Sequence, residues 1–291
     1  MSSGGGTGQS MNGRSIAREA SCTGVGLHTG DRVRVTLRPR GEQGIVFVRE
    51  DLPGHPRVRA CASNVVLERR RTALRDGDGE VHTAEHLLAA LYASGVDAAE
   101  VGLSGPEVPG LDGSAAEWLA LVRDAGAAPR PWERARIVLR EAVAESAGTG
   151  AIAAVPCRGA LVINYVLDHD TPVIPVQTLQ YRLEPASFAA DIAPARTFVL
   201  AEEVDALRTA GLGKGATVRN TLVVAADGVR DNELRFADEF VRHKVLDLLG
   251  DLSLLEAELW ARVAAVRSGH VLNAALVRRI RAAAGAAEAG R

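Results

Sequence analysis

Twice along this chain, text with the two-residue period of a strand gives way to text with the period of a helix, and this order restricts the fold class most. In the first half, Arg32-Val33-Arg34-Val35-Thr36-Leu37 and Gly44-Ile45-Val46-Phe47-Val48 alternate as strands around a turn at Gly41. Residues 84–94 then read as a helix, with Thr83 as its N-cap and Gly95 stopping it. A short strand at 101–103, a turn-rich stretch at 106–113 and a second helix at 114–125, capped by Ser114, follow. In the second half, strands are expected at 135–139, 151–155, 161–167 and 178–183. A helix around 199–210, a glycine-rich turn at 211–215, a strand at 221–224 and helices at 236–255 and 272–284 complete it. The predicted class is α+β, and the similar plan of the halves suggests a duplicated architecture, although no sequence repeat marks it. Residues 1–13, rich in Gly and Ser, are expected as a disordered tail. Residues 127–131 carry two prolines after a completed helix and are the expected linker. The domains are therefore placed at 14–128 and 134–285.

At 47% hydrophobic residues in 291, the chain can build ample core and is too apolar for disorder. A net charge of −2 argues against nucleic acid or an anionic membrane surface as the main partner. No apolar run approaches the roughly 18–20 residues of a membrane span. Cys22, Cys61 and Cys157 show no paired spacing and read as free thiols of a reducing compartment. With no secretory layout at the N-terminus, the expected location is the cytoplasm. Of 34 basic residues only Lys214 and Lys244 are lysines, so a position that keeps lysine has a reason to.

Histidines and carboxylates fall into two clusters. On the helix around 240–251, His243, Asp247 and Asp251 recur every fourth residue and share one stripe, roughly 6 Å apart per step. Val245, Leu246, Leu248 and Leu249 make the other faces apolar, so the stripe is either a solvated face or a compensated buried site. In the first half, His82-Thr83-Ala84-Glu85-His86 matches H-x-x-E-H, a zinc-peptidase pattern with the glutamate as base. A third arrangement joins the halves: His86, His243 and Asp247 around zinc, an open position for water, and Glu85 to take its proton.

Six separated motifs in order then carry a family resemblance. They are Thr23-Gly24-Val25-Gly26-Leu27-His28-Thr29-Gly30, Thr83-Ala84-Glu85-His86-Leu87-Leu88, Leu111-Asp112-Gly113-Ser114-Ala115, Ala195-Arg196-Thr197-Phe198, the run from His243 through Lys244 and Asp247 to Asp251, and Ser268-Gly269-His270-Val271-Leu272-Asn273. With these, the chain resembles the zinc-dependent UDP-3-O-acyl-N-acetylglucosamine deacetylases (LpxC) over about residues 15–279. The resemblance implies two similar β-α-α-β domains packed as a layered sandwich, with the active site at their interface. It implies Zn2+ on His86, His243 and Asp247, Glu85 as general base, and His270 as cationic acid or oxyanion partner, oriented by Asp251. Thr197 would hydrogen-bond the oxyanion, Phe198 would line the pocket, and Lys244, Arg267, Ser268 and Gly269 would meet the substrate. The implied reaction removes the N-acetyl group from UDP-3-O-acyl-N-acetylglucosamine, the committed step of lipid A biosynthesis. The implied enzyme is a cytoplasmic monomer with no nucleic-acid partner and no transmembrane segment.

The chain departs from the family pattern at several places. Val166-Leu167 stands before Asp168-His169 where many members carry an Asp-Phe pair that contacts uracil. Val199-Leu200 replaces the commoner Gly-Phe after Thr197-Phe198, and Arg267 replaces a common lysine. Leu207, Leu212, Val218 and Leu222 are candidates for an acyl passage and equally for core. Asp112 and Ser114 read as a turn and helix cap, His28 as a hairpin residue or nucleotide contact, and Lys214 has no assigned role. A non-catalytic binding paralogue is the rival from outside enzymology. Retention of every proposed ligand, base and acid argues against it, and a fused dehydratase is not expected.

Overall fold

The alternation read at 32–37 is the spine of the first sheet. The computed structural model, which describes residues 12–68, 70–169 and 171–289, places Arg32–Arg38 between Ala20–Val25 and Ala98–Leu103, antiparallel to both. Its odd-numbered Val33, Val35 and Leu37 are fully buried, as the period requires. Gly44–Arg49 runs parallel to Ala98–Leu103 on that strand's other side. Asn12–Ile16 continues the sheet, taking in two residues expected in the tail, whereas 1–11 lie outside the described residues.

Residues 127–131 are not a linker. They belong to the strand Ala127–Glu133, antiparallel to Asn12–Ile16 at the end of the sheet order. An edge strand tolerates Pro129 and Pro131 because an outward-facing ladder position needs no N–H.

The second sheet has the order Val143–Ala147, Gly150–Pro156, Glu258–Val266, Leu161–Leu167 and Gln177–Arg182. Its central strand, Glu258–Val266, was not expected from sequence. Leu259, Ala261, Val263 and Ala265 point inward, but Glu258 and the alanines at 261, 264 and 265 carry little strand propensity. Two small sheets flank the site: Phe198–Leu200 with Leu222–Ala225 and Gly228–Val229, and Val65–Val66 with Ala73–Asp76 and Gly79–His82. The helix expected around 199–210 is thus shorter, Val204–Thr209, because Val199 and Leu200 are strand residues.

Four longer helices complete the α+β fold: α1 (Glu85–Ala93), α2 (Ala116–Ala125), α3 (Glu239–Leu252) and α4 (His270–Ala289). Every residue of α1 is buried. This helix packs on α2 and crosses α3, which in turn rests on Leu161–Leu167 and α4. Gly250 sets the crossing distance of α1 and α3: a Cβ there would lie 2.2 Å from the Glu85 carbonyl oxygen. Residues distant in sequence therefore meet at the first turn of α1.

Candidate active site

The turn into α1 decides which residues of His82-Thr83-Ala84-Glu85-His86 act together. Thr83 adopts a left-handed backbone, φ 57°, and its hydroxyl donates to Glu107 Oε1 at 2.9 Å. It does not cap α1, whose N-cap is Ala84 without a side-chain bond. The reversal leaves His82 at the end of a strand, 3.6 Å from Glu80 and 4.0 Å from Glu68. Both carboxylates are ion-paired, to Arg75 and Arg71. Glu85 and His86 instead enter the main cavity, so the single-helix H-x-x-E-H arrangement is not formed.

Opposite them, His243 and Asp247 project from adjacent turns of α3. Asp247 Oδ1 lies 3.3 Å from His243 Nε2 and 3.6 Å from His86 Nε2. The two imidazoles meet edge to face, centroids 5.0 Å apart at 89°. One potential ligand atom from each of His86, His243 and Asp247 lies within 4.8 Å of the others, and all three residues are buried. His243 Nδ1 donates to the Ala195 carbonyl at 3.1 Å, which leaves the Nε2 lone pair facing Asp247. Burial lowers the pKa of this imidazole to about 4, so it is neutral near pH 7. Burial opposes the charge on Asp247, yet the Lys244 ammonium, a hydrogen bond from His86 and the cationic His270 hold its carboxyl well below the usual range. Lys244 Nζ donates to Asp247 Oδ2 at 2.7 Å.

Arg196, named in the 195–198 motif without a role, and Glu239, which sequence reasoning did not single out, support this group from behind. Glu239, fully buried at the start of α3, accepts from the Arg196 backbone N–H at 3.0 Å and from Arg196 Nε at 2.9 Å. The pair clamps the loop segment that supplies the Ala195 carbonyl to the helix that carries His243. No spacing signal marks it, since Glu239 and Arg196 are 43 residues apart.

Asp251, the third residue of the stripe, serves a different partner. Its Oδ2 accepts from His270 Nδ1 at 2.9 Å and from Asn273 Nδ2 at 2.8 Å. Burial alone would lower the His270 pKa, but Asp251 raises it to about 9. His270 Nε2 lies 3.9 Å from Glu85 Oε1. Burial also raises the pKa of Glu85, against the attraction of His270 and His86. Because the folded-state pKa of His270 exceeds its unfolded value, its stabilising contribution is complete below about pH 6.5 and lost as pH rises through about 9. In the metal-free protein, NMR titration of His270 should show a midpoint near 9, falling towards 6.5 or lower in Asp251→Asn. An unmoved midpoint would refute Asp251 as the cause.

A cavity of about 720 Å³ opens over these groups. Thr197 and Phe198 lie on its wall, Thr197 fixed by bonds from its N–H to Gly113 O (2.8 Å) and from Leu222 N–H to its carbonyl (2.9 Å). Phe198 packs edge to face between His169 (5.5 Å) and Phe240 (4.9 Å). Lys244, Arg267, Ser268 and Gly269 also line it. Arg267, in a left-handed conformation, reaches Asp168 Oδ2 at 2.8 Å. Leu207, Leu212 and Val218 form part of an apolar arm, whereas Leu222 is fully buried core and not lining.

The remaining sequence candidates are structural or peripheral. Asp112 Oδ1 accepts from Ser114, whose hydroxyl in turn accepts from Ala116 N–H at the start of α2. His28 lines the cavity, and its carbonyl accepts from the backbone N–H of Lys214 at 3.2 Å. The glycine-rich turn is thereby stitched to the His28 loop, with Gly215 so close that a Cβ would lie 2.2 Å from Gly26 O. The Lys214 side chain itself is exposed.

Comparison with known proteins gives a single family. The family model for LpxC, UDP-3-O-acyl N-acetylglycosamine deacetylase, matches residues 13–282. Similar proteins named UDP-3-O-acyl-N-acetylglucosamine deacetylase occur in Citrifermentans bemidjiense (41% identical over 266 residues, 91% of this chain and 87% of that protein), Thermosynechococcus vestitus (41% over 268 residues, 92% and 93%) and Myxococcus xanthus (40% over 273 residues, 93% and 87%).

Proposed function

The chain belongs to the UDP-3-O-acyl N-acetylglycosamine deacetylase family, and from that premise we propose a zinc-dependent amide hydrolase whose metal is held by His86, His243 and Asp247. It is a deacetylase that removes the N-acetyl group of UDP-3-O-acyl-N-acetylglucosamine, the lipid A step of the family, releasing acetate. The observation that carries the metal assignment is the convergence of three buried donor atoms within 4.8 Å of one another from separate halves of the chain. Two imidazole nitrogens and one carboxylate oxygen suit a zinc ion with an open position. When bound, the ion would polarise the acetamide carbonyl and lower the pKa of a coordinated water towards about 7.

The protein's own groups account for the proton traffic. Glu85, beside His86, accepts the proton of the attacking water through Oε1. The Thr197 hydroxyl is available to the oxygen of the tetrahedral intermediate. An amine leaves poorly until protonated, and His270, kept cationic by Asp251, donates that proton from Nε2. Lys244, already paired with Asp247 at the cavity wall, contributes positive charge towards the substrate diphosphate, together with Arg267. Ser268 and Gly269 carry the main chain that presents His270, and Phe198 shapes the sugar pocket beside the apolar arm for the acyl chain. No helix among the described residues is long and apolar enough to cross a membrane. We place the enzyme in the cytoplasm as a monomer, acting on this UDP-linked acylated amino sugar and on no nucleic acid.

Metal analysis joined to an acetate-release assay tests the proposal. Chelation should abolish turnover and added Zn2+ should restore it. His243→Ala should lose both metal and activity, while His82→Ala should keep both. Full turnover in the chelated protein, or metal loss in His82→Ala, would overturn the ligand set.

A further inference from the structure

We infer that Thr72 is a positioning residue that joins the base Glu85 to the acid His270, an inference that rests on the roles proposed for those two groups above. Thr72 is buried just before the strand Ala73–Asp76. Its backbone N–H donates to Glu85 Oε2 at 3.0 Å. Its carbonyl accepts from Ala84 N–H at 3.4 Å. Its hydroxyl donates to Asp251 Oδ1 at 2.5 Å, and the same oxygen stands 3.2 Å from His270 Nδ1. One residue thus touches the start of α1, the stripe of α3 and the first residue of α4.

The hydrogens in this network have little choice. An ionised Asp251 only accepts, so the single hydroxyl hydrogen of Thr72 goes to Oδ1. Thr72 Oγ1 then presents a lone pair to His270 Nδ1, and Asp251 Oδ2 presents another at 2.9 Å. With acceptors on both approaches, Nδ1 keeps its hydrogen. The proton that can be delivered is therefore the one on Nε2, which faces the cavity. The same residue makes the matching choice for the base. Its N–H occupies Oε2 of Glu85, leaving Oε1 as the oxygen turned towards His270 Nε2, 3.9 Å away. Asn273, held by the Ser268 hydroxyl at 2.7 Å, braces Asp251 from its other side.

Thr72→Val keeps the shape and the backbone bond to Glu85 but deletes the hydroxyl, while Thr72→Ser keeps both. Both would be assayed as zinc-loaded enzyme for kcat, KM and metal content, beside Glu85→Gln. We expect Thr72→Val to lower kcat roughly 10- to 100-fold, up to the cost of about 1 Å of misplacement in a reacting constellation, with KM and zinc content unchanged, and Thr72→Ser to restore most of it. Unchanged kcat in Thr72→Val, a KM or zinc loss that matches the fall in kcat, or no rescue by serine would each overturn the positioning role. If Thr72→Val is fully active and Glu85→Gln is not, the inference fails and the proposed chemistry stands. Full activity in Glu85→Gln would remove the chemistry on which the inference rests.

Discussion

Glu85→Gln is expected to lower turnover by about 10²- to 10⁴-fold, the range of a positioned general base, while zinc remains bound. The two side chains are nearly isosteric, and the substituted amide could still accept the Thr72 N–H through its carbonyl oxygen. What disappears is an anionic oxygen able to take a proton beside His86. The metal donors are untouched, since they are His86, His243 and Asp247. His270→Ala should produce a loss of similar size for the complementary reason, removal of the proton donor to the departing amine. The double variant should lose far less than the product of the two, because the groups act on one proton path. Wild-type turnover in either single variant, measured as acetate release with zinc content determined on the same sample, would sink the acid–base scheme.

Gly250→Ala is the second large effect, and its sign is opposite to the ordinary one. Glycine inside a helix costs about 0.5–1 kcal/mol relative to alanine, so the substitution usually stabilises. Here the added methyl would sit 2.2 Å from the Glu85 carbonyl oxygen and 2.8 Å from its carbon, both backbone atoms. Neither can move without displacing the start of α1. Overpacking of this kind costs about 1–3 kcal/mol. The displacement would also separate His86 from His243 and Asp247, and a misplacement of about 1 Å in a reacting constellation can cost about 10²-fold in rate. Lower Tm, weaker zinc binding and reduced kcat should appear together. Gly41→Ala, with no neighbouring atom within 4 Å of the added Cβ, is the matched control. A Gly250→Ala protein with normal Tm and turnover would show that α1 and α3 do not depend on this contact.

Much of the architecture was legible in residue patterns. The strand expected at 161–167 occupies Leu161–Leu167, because a short apolar run rich in β-branched residues, with Tyr165, bounded by Gly159 and Asp168, leaves few alternatives. The stripe of His243, Asp247 and Asp251 was legible because helical spacing fixes which side chains share a face. That stripe nevertheless splits between two tasks: Asp247 faces the imidazoles of His86 and His243, while Asp251 faces His270. Helical periodicity specifies a common face and says nothing about which neighbours arrive from elsewhere. Similarly, Thr83 has the composition of an N-cap, but a left-handed backbone sends its hydroxyl to Glu107.

The amino-acid sequence alone determined the α+β class, the helix with its polar stripe and the identities of the chemically capable side chains. These follow from local periodicity and from the cost of burying charge, both written in neighbouring residues. Only the tertiary structure decided that His82 leaves the group, that Glu258–Val266 lies at the centre of the second sheet, and that Thr72, Arg196 and Glu239 brace the site. The physical reason is that none of these placements is written in local periodicity. A left-handed turn at Thr83 turns His82 away, and pairing with Gly150–Pro156 and Leu161–Leu167 centres Glu258–Val266. At the crossing of α1 and α3, the absence of a side chain at Gly250 lets one helix approach the backbone of the other.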